Sequence, residues 1–303
     1  MVVTMYRLTK HYLMPKWLQF FHPLQEDNLT EIIDNEEYLS QLLKQQLELT
    51  GEVEKAIDLL VAEEGIPKRI AESLACGLRL LPKRYELNAG TFGSTGQKNL
   101  LRSKVMVAGL GGLGGHVVEQ LARCGVGILV GVDPDLFDET NLNRQLYSDL
   151  GTIGLRKTEV TQRRVEAAND AVEFRSFFHS VEDLEDGAYD GVDLIFDCLD
   201  TIPTRLHLQE VGERLGIPLV HGAIGGWYGQ VAIVWPGSKL LSNVYGTRRE
   251  GIEKTMGNPS FTPAFVAAFM VSEGIKLLLG KKERENTVLF TDLLFNQWHW
   301  VSL

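Results

Sequence analysis

Apolar positions along the chain follow two patterns. From Asn35 to Leu81 they recur at helical spacing, with Leu39, Leu42, Leu43 and Leu47 forming a first stripe. Gly51 interrupts it, Val53, Ile57, Leu60 and Val61 begin a second, and Gly65 stops that one. Pro67 opens a third, with Ile70, Leu74 and Leu78 on its face and Pro82 beyond. Three short helices packed as a small bundle are predicted. From Lys104 onward, short β-prone apolar runs alternate with helical ones. Strands are predicted near 104–109, 128–133, 172–178, 193–198, 218–221 and 229–235, and helices near 114–124, 154–168 and 203–215. Such alternation implies a doubly wound, largely parallel α/β sheet with helices on both faces.

The remaining stretches are less periodic. Residues 1–24 carry Tyr6, Tyr12, Trp17, Phe20 and Phe21 and read as an arm covering apolar surface. Lys83 to Gly96 holds three glycines and reads as a linker with short turns, leading through Gln97–Arg102 into the first strand. Segment 236–262 shows no clear period and reads as a long loop, of the kind that is usually functional or mobile. Pro263 to Leu279 carries Ser272, Glu273 and Lys276 and reads as a core helix, not a membrane span. Alternation in Thr287–Leu303 predicts a closing pair of strands. The chain thus divides into an accessory helical region, 1–81, and an α/β domain, 82–303.

Chemistry enters at Gly109-Leu-Gly-Gly-Leu-Gly-Gly115, between the strand Lys104–Ala108 and a helical run in which Val117, Leu121 and Cys124 share a face. Gly109, Gly111 and Gly114 there match a dinucleotide fingerprint, in which a tight turn brings backbone N–H groups onto phosphate oxygens at a helix N-terminus. A tight structural turn is the other reading. Asp133 ends the next strand at roughly the 20-residue spacing of an acid that binds a ribose hydroxyl, which favours a nucleotide site in a Rossmann-like fold. Beyond it lie Asp135, Asn141, Arg144, Gln145 and Lys157, and Phe196-Asp-Cys-Leu-Asp200 closes the fourth strand. These residues follow the C-terminal edge of a parallel sheet, where ligands bind. An additional Arg, Lys and Asp suit ATP chemistry better than hydride transfer, because Arg144 and Lys157 can neutralise triphosphate charge and Asp200 can hold Mg²⁺. Asp197 and Asp200 also suit capping of the next helix. His221, at a strand end, reads as a structural histidine more readily than a catalytic one. Cys198 reads as a buried thiol of blunted reactivity.

Composition narrows the class. The chain has 303 residues, 44% of them apolar and 23% charged, enough for a folded protein of one large domain with a small one attached. Its formal net charge of −10 argues against nucleic acid or an anionic membrane as the main partner. The three cysteines, Cys76, Cys124 and Cys198, form neither a disulfide framework nor a CxxC pair, so no zinc is expected. Lys10, His11 and Lys16 interrupt any signal-like apolar core, and a soluble cytoplasmic protein is expected.

In this order, GLGGLG, VDPDLFDETNLNRQ, GLRKTEV and DCLDT resemble the ThiF/MoeB/HesA adenylyltransferases, relatives of the ubiquitin-activating enzymes. The resemblance covers roughly 82–303, and the NLNRQ stretch is its most specific part. It implies a homodimeric enzyme that uses Mg·ATP to adenylate the C-terminal glycine carboxylate of a ubiquitin-like sulfur carrier ending in Gly-Gly. On this likeness Gly109, Gly111, Gly112 and Gly114 form the phosphate turn. Asp133 binds the ribose, with Asp135 in the same nucleotide site. Asn141, Arg144, Gln145 and Lys157 surround the phosphates, and Asp200 coordinates Mg²⁺. Leu219–Gln230 resembles the part near which the carrier's tail lies, and 236–262 the crossover loop over it. The sequence departs from the pattern at three places. Leu87 stands where an RYxR motif has its second arginine, acting across a dimer, so Arg84 is the candidate substitute; the zinc CxxC pairs are missing; and 236–262 holds no cysteine.

Adenylation of a carrier carboxylate is therefore the leading expectation. Activation of a tRNA-bound carboxylate, as in dehydratase relatives, keeps the fold and changes the substrate. A non-catalytic nucleotide-binding scaffold is the alternative outside enzymology, and an NAD-dependent oxidoreductase the most distant.

Overall fold

The computed structural model describes residues 35–251, 253–281 and 284–303. The expected N-terminal arm, 1–24, lies outside them. Three helices, α1 (Glu36–Thr50), α2 (Val53–Glu64) and α3 (Lys68–Gly77), pack through Leu39, Leu43, Ile57, Leu60, Ile70 and Leu74 into a core of their own. Gly51 and Gly65 end the first two in left-handed conformations, φ 69° and 65°, and their N–H groups cap Leu47 O and Val61 O.

The expected linker is instead helical. A 3₁₀ segment, Lys83–Asn88, runs into α4 (Ala89–Arg102), which is kinked at Gly93 (φ 66°, ψ 173°). Glycines lower helix propensity, but tertiary packing overrides it. Gly96 fits under Leu279, with 3.1 Å from a built Cβ to the nearest methyl, and Gln97, Leu100 and Leu101 are buried.

A mixed sheet of eight strands follows, in the order β3-β2-β1-β4-β5-β6-β7-β8. Strands β1 (Lys104–Ala108), β2 (Ile128–Val132), β3 (Glu173–Phe177), β4 (Leu194–Asp197) and β5 (Leu219–Gly225) are parallel neighbours. Strands β6 (Tyr228–Val234), β7 (Thr287–Asp292) and β8 (Gln297–Ser302) continue antiparallel. Helices α5 (Gly112–Cys124), α6 (Lys157–Ala168) and α7 (Ile202–Leu215) make the crossovers. Apolar cores lie on both faces, one centred on Val107, Val117, Leu121 and Phe196, the other on Met106, Val130, Ile195 and Leu208. Because the chain leaves β1 for β2 on one side and enters β4 on the other, a crevice opens at their C-terminal ends.

Segment 236–262 is not a featureless loop. It holds α8 (Leu240–Tyr245) and α9 (Glu253–Met256) and the start of α10 (Phe261–Leu278). Leu240 and Leu241 are buried, and Leu241 N donates to Gln209 Oε1 of α7 at 2.8 Å. One buried turn is too short to leave a period in the sequence. Helix α10 is long and apolar enough to cross a membrane. It lies instead on the sheet, close enough at Gly274 that a Cβ would meet the Phe196 ring at 2.3 Å.

Within its own chain Arg84 is held away from the glycine turn. Its guanidinium pairs with Asp170 at 2.6 Å and Glu72 at 3.6 Å and donates to Asn169 Oδ1. Asn169 and Asp170 precede β3, at the sheet edge opposite the glycine turn, so this arginine does not reach the nucleotide pocket of its own chain. Glu72 is 2% exposed and takes its other contact from Tyr85 Oη at 3.1 Å. Burial raises the Glu72 pKa, with Arg84 acting against it. Arg84→Ala is expected to cost about 1–3 kcal/mol of stability, because it strips a buried carboxylate of a charged partner. Urea melts should show that loss, while calorimetric titration with ATP gives a wild-type affinity for the folded protein.

Candidate nucleotide site

The glycine turn is set by close approach. Gly109, directly after β1, has φ 88°, and a Cβ there would lie 2.7 Å from Cys198 O. At Gly114 a Cβ would sit 1.8 Å from Gly109 O. Neither position admits a side chain. Gly111 caps α5 and Gly112 is its first residue. The first turn of the helix, whose N–H groups have no intrahelical acceptor, lines a cavity of about 350 Å³.

Asp133 closes one wall of this cavity. It is 4% exposed, and its carboxylate accepts from Leu110 N at 2.7 Å and Asp135 N at 2.8 Å, tying the end of β2 to the glycine turn. Burial pushes its pKa up, against the pull of Lys157 and the two N–H donors. Lys157, buried at the start of α6, places Nζ 2.8 Å from Asp135 and 3.7 Å from Asp133. A triphosphate entering here meets an ammonium already held between two carboxylates. Arg144 and Gln145 come from the turn after the 3₁₀ segment Glu139–Asn141. Arg144 Nη1 donates to Thr140 O at 3.0 Å and Asn143 Oδ1 at 2.9 Å. Gln145 Oε1 is buried beside Gly111 and takes no hydrogen bond among the described residues. Asp200 is exposed on the same cavity.

Three expected site residues do not line the cavity: Arg84, held at the bundle, and Gly114 and Asn141. Gly114 acts through the turn alone. Asn141 faces Asp138 in a reciprocal cap, and its carbonyl accepts from Gln145 N at 2.9 Å, so it shapes the loop that carries Arg144 and Gln145. The structure adds His179, Ser180 and Glu182 beyond β3, Thr204 and Arg205 of α7, and Ile224 of β5. Those after β3 were findable, since they follow a predicted strand at the ligand-binding edge. Arg205 was not, because one arginine in an amphipathic helix reads as a solvated charge.

A second cavity, of about 390 Å³, is lined by α7, strands β5 to β8 and residues of 243–251. Asp200, Arg205 and Ile224 line both cavities. Beneath this junction runs a buried polar network. His221 Nδ1 donates to Asp197 Oδ2 at 2.7 Å, and Tyr245 Oη donates to His221 Nε2 at 3.0 Å. Gln230 Nε2 donates to Tyr245 Oη at 2.6 Å. Arg205 Nη1 donates to Gly222 O at 2.6 Å and to Asp197 Oδ2 at 3.4 Å. Burial lowers the His221 pKa, which favours the neutral imidazole, and because the ionised Asp197 carboxylate can only accept, the proton belongs on Nδ1. Burial alone would raise Asp197, but Arg205 and His221 outweigh it and keep the carboxylate ionised. Burial, with Asp197 beside it, pushes the Cys198 thiol well above its ordinary range, in line with the inert reading of that cysteine.

The sequence matches the family described as ThiF over residues 85–303. The chain belongs to the ThiF family. It is 34% identical over 212 residues to the SAMP-activating enzyme E1 of Haloferax volcanii, covering 67% of this chain and 77% of that one. It is 31% identical to the sulfur carrier protein adenylyltransferase of Thermus thermophilus, covering 62% and 73%. It is also 35% identical over 139 residues to the tRNA threonylcarbamoyladenosine dehydratase of Bacillus subtilis, covering 45% and 55%. A crystal structure of E. coli MccB with ATP shares the fold, with TM-score 0.62 at 18% identity over 81% of this chain and 82% of that one. This ThiF protein is an enzyme of the adenylyltransferase type, and the bundle α1–α3 precedes the matched region.

Proposed function

We propose that this ThiF protein uses Mg·ATP to convert the C-terminal carboxylate of a ubiquitin-like sulfur carrier into an acyl-adenylate. The observation that carries the reading is the meeting of two cavities at Asp200, Arg205 and Ile224. One is built for a nucleotide, with a glycine turn, an acid at the ribose position and a cationic flank. The other, of about 390 Å³, is where the reading places an extended Gly-Gly tail, with its carboxylate at the junction. There a carboxylate oxygen attacks the α-phosphorus, the bond to the bridging α–β oxygen breaks, and pyrophosphate leaves. The attacking group is already ionised, so the protein's task is positioning and charge stabilisation.

The buried Gln145 Oε1, which takes no hydrogen bond among the described residues, and the uncovered N-terminus of α5 fit a bound nucleotide. Among the described residues no group of three or more His, Cys, Asp or Glu is placed to hold a metal. One carboxylate, Asp200, suits Mg²⁺, which is bound mainly by phosphate oxygens and water, and which would neutralise phosphate charge when present.

Two measurements test this reading. ATP with Mg²⁺ is expected to raise the melting temperature more than NAD does, and ATP–pyrophosphate exchange is expected to depend on an added carrier ending in Gly-Gly. Equal stabilisation by NAD, or exchange indifferent to the carrier, would count against it. The dehydratase relative supports a second reading, activation of a tRNA-bound carboxylate. The net charge of −10 opposes it, and salt-sensitive tRNA binding would revive it.

A further inference from the structure

The nucleotide cavity and the second cavity share more than a rim. Tyr245 belongs to α8, and it lines the second cavity. Its hydroxyl reaches His221, 1% exposed, whose other nitrogen binds Asp197, 0% exposed. Asp197 spends its second oxygen on Leu199 N at 3.1 Å. It thereby holds the turn Asp197–Asp200, which presses Cys198 O against Gly109 and delivers Asp200 to the nucleotide cavity. The contacts run without a break from Tyr245, which lines the second cavity, to the turn that carries Cys198, Leu199 and Asp200 into the first.

We propose that Tyr245 and His221 are positioning residues: through Asp197 they hold the 197–200 turn in the geometry that binds Mg·ATP. The line has a direction of hydrogen bonding. Tyr245 donates to Nε2 and Nδ1 donates to Asp197, so it stands only while His221 is neutral. The groups facing the imidazole are the Asp197 carboxylate from β4, the Arg205 guanidinium from α7, the Tyr245 hydroxyl from α8 and the Gln230 amide from β6. Protonation of Nε2 turns the acceptor into a donor against Tyr245 and adds a charge next to Arg205. The ring of Tyr245 also meets the imidazole edge-on, with centroids 5.8 Å apart, so removing the hydroxyl alone leaves this packing in place.

The inference rests on ATP being the nucleotide, though not on the identity of the acceptor, and its test uses the full-length protein with Mg·ATP alone. Calorimetric titrations from pH 5.5 to 8 are compared for wild type, Tyr245→Phe, His221→Ala and His221→Gln. Tyr245→Phe and His221→Ala are expected to weaken Mg·ATP binding about five- to tenfold at pH 7.5, the scale of one net hydrogen bond. His221→Gln is expected to bind like wild type, since its amide can donate to Asp197 and accept from Tyr245. Wild-type affinity should fall on the acid side as His221 takes up a proton, and the His221→Gln profile should stay flat there. Wild-type affinity in both Tyr245→Phe and His221→Ala would overturn the proposal, as would His221→Gln binding as weakly as His221→Ala. If wild type bound no Mg·ATP at all, the ATP reading would fall together with it. Binding that ignores these substitutions would remove the positioning role alone.

Discussion

Asp200→Ala should lose roughly a hundredfold or more in adenylate formation while still unfolding in one cooperative transition. The carboxylate is exposed, and among the described residues it makes no hydrogen bond or ion pair. Folding therefore gains little from it. It stands at the junction of the two cavities, where the proposed adenylation would develop charge on the α-phosphoryl group, and a single electrostatic contributor at such a point commonly carries a factor of 10²–10³. Removing it also relieves the repulsion between two carboxylates three positions apart. Carrier-dependent pyrophosphate exchange, paired with a thermal melt, checks both halves. Exchange within a few-fold of wild type would take Asp200 out of the chemistry.

Asp197→Ala should do the reverse and damage the fold first. This side chain has no exposure, and Arg205, His221 and Leu199 N are all set against it. Truncating one member of a buried charge pair leaves the other desolvated without its counter-charge, at a cost of about 3–5 kcal/mol. For a domain with the usual margin of about 5–15 kcal/mol, that is a large part of the whole. Urea denaturation should show the midpoint falling steeply with little change in slope. Asp197→Asn should recover part of the loss, because its amide oxygen still accepts from Leu199 N. A midpoint unmoved by Asp197→Ala would mean that the network contributes nothing to stability.

Local chemistry was readable from the sequence wherever partners are close along the chain. The glycine turn, the acid after the next strand and the Asp133, Arg144 and Lys157 surroundings all follow from strand–turn–helix spacing, and the structure brings them around one cavity. What stayed hidden was chemistry assembled by long-range packing. Arg84 and Tyr85 form a recognisable dipeptide, yet their partners, Glu72, Asn169 and Asp170, arrive only when the bundle docks on the far edge of the sheet. Leu87, at the position of the missing arginine, is fully exposed. His221 showed its place on a strand, but not that Asp197, Arg205 and Tyr245 would enclose it from three other elements. The helix over 89–102 was hidden for a related reason, since its glycines argue locally against the packing that forms it.

The change from parallel to antiparallel pairing at β5 has an architectural consequence. Among the described residues, everything that lines the first cavity, apart from Ile224 and Asn258, comes from residues 109–205. Nearly all of the second recess comes from later in the chain, beginning at Ala223. The linings of the two cavities are therefore separate cassettes in sequence, joined at Asp200, Arg205 and Ile224. On the proposed function, changes in the later cassette would alter the acceptor site while leaving the earlier one intact. In engineering terms, if the second recess takes the acceptor as proposed, a graft of 223–262 together with the final strand pair is expected to carry acceptor choice with it, seated on residues 197–205.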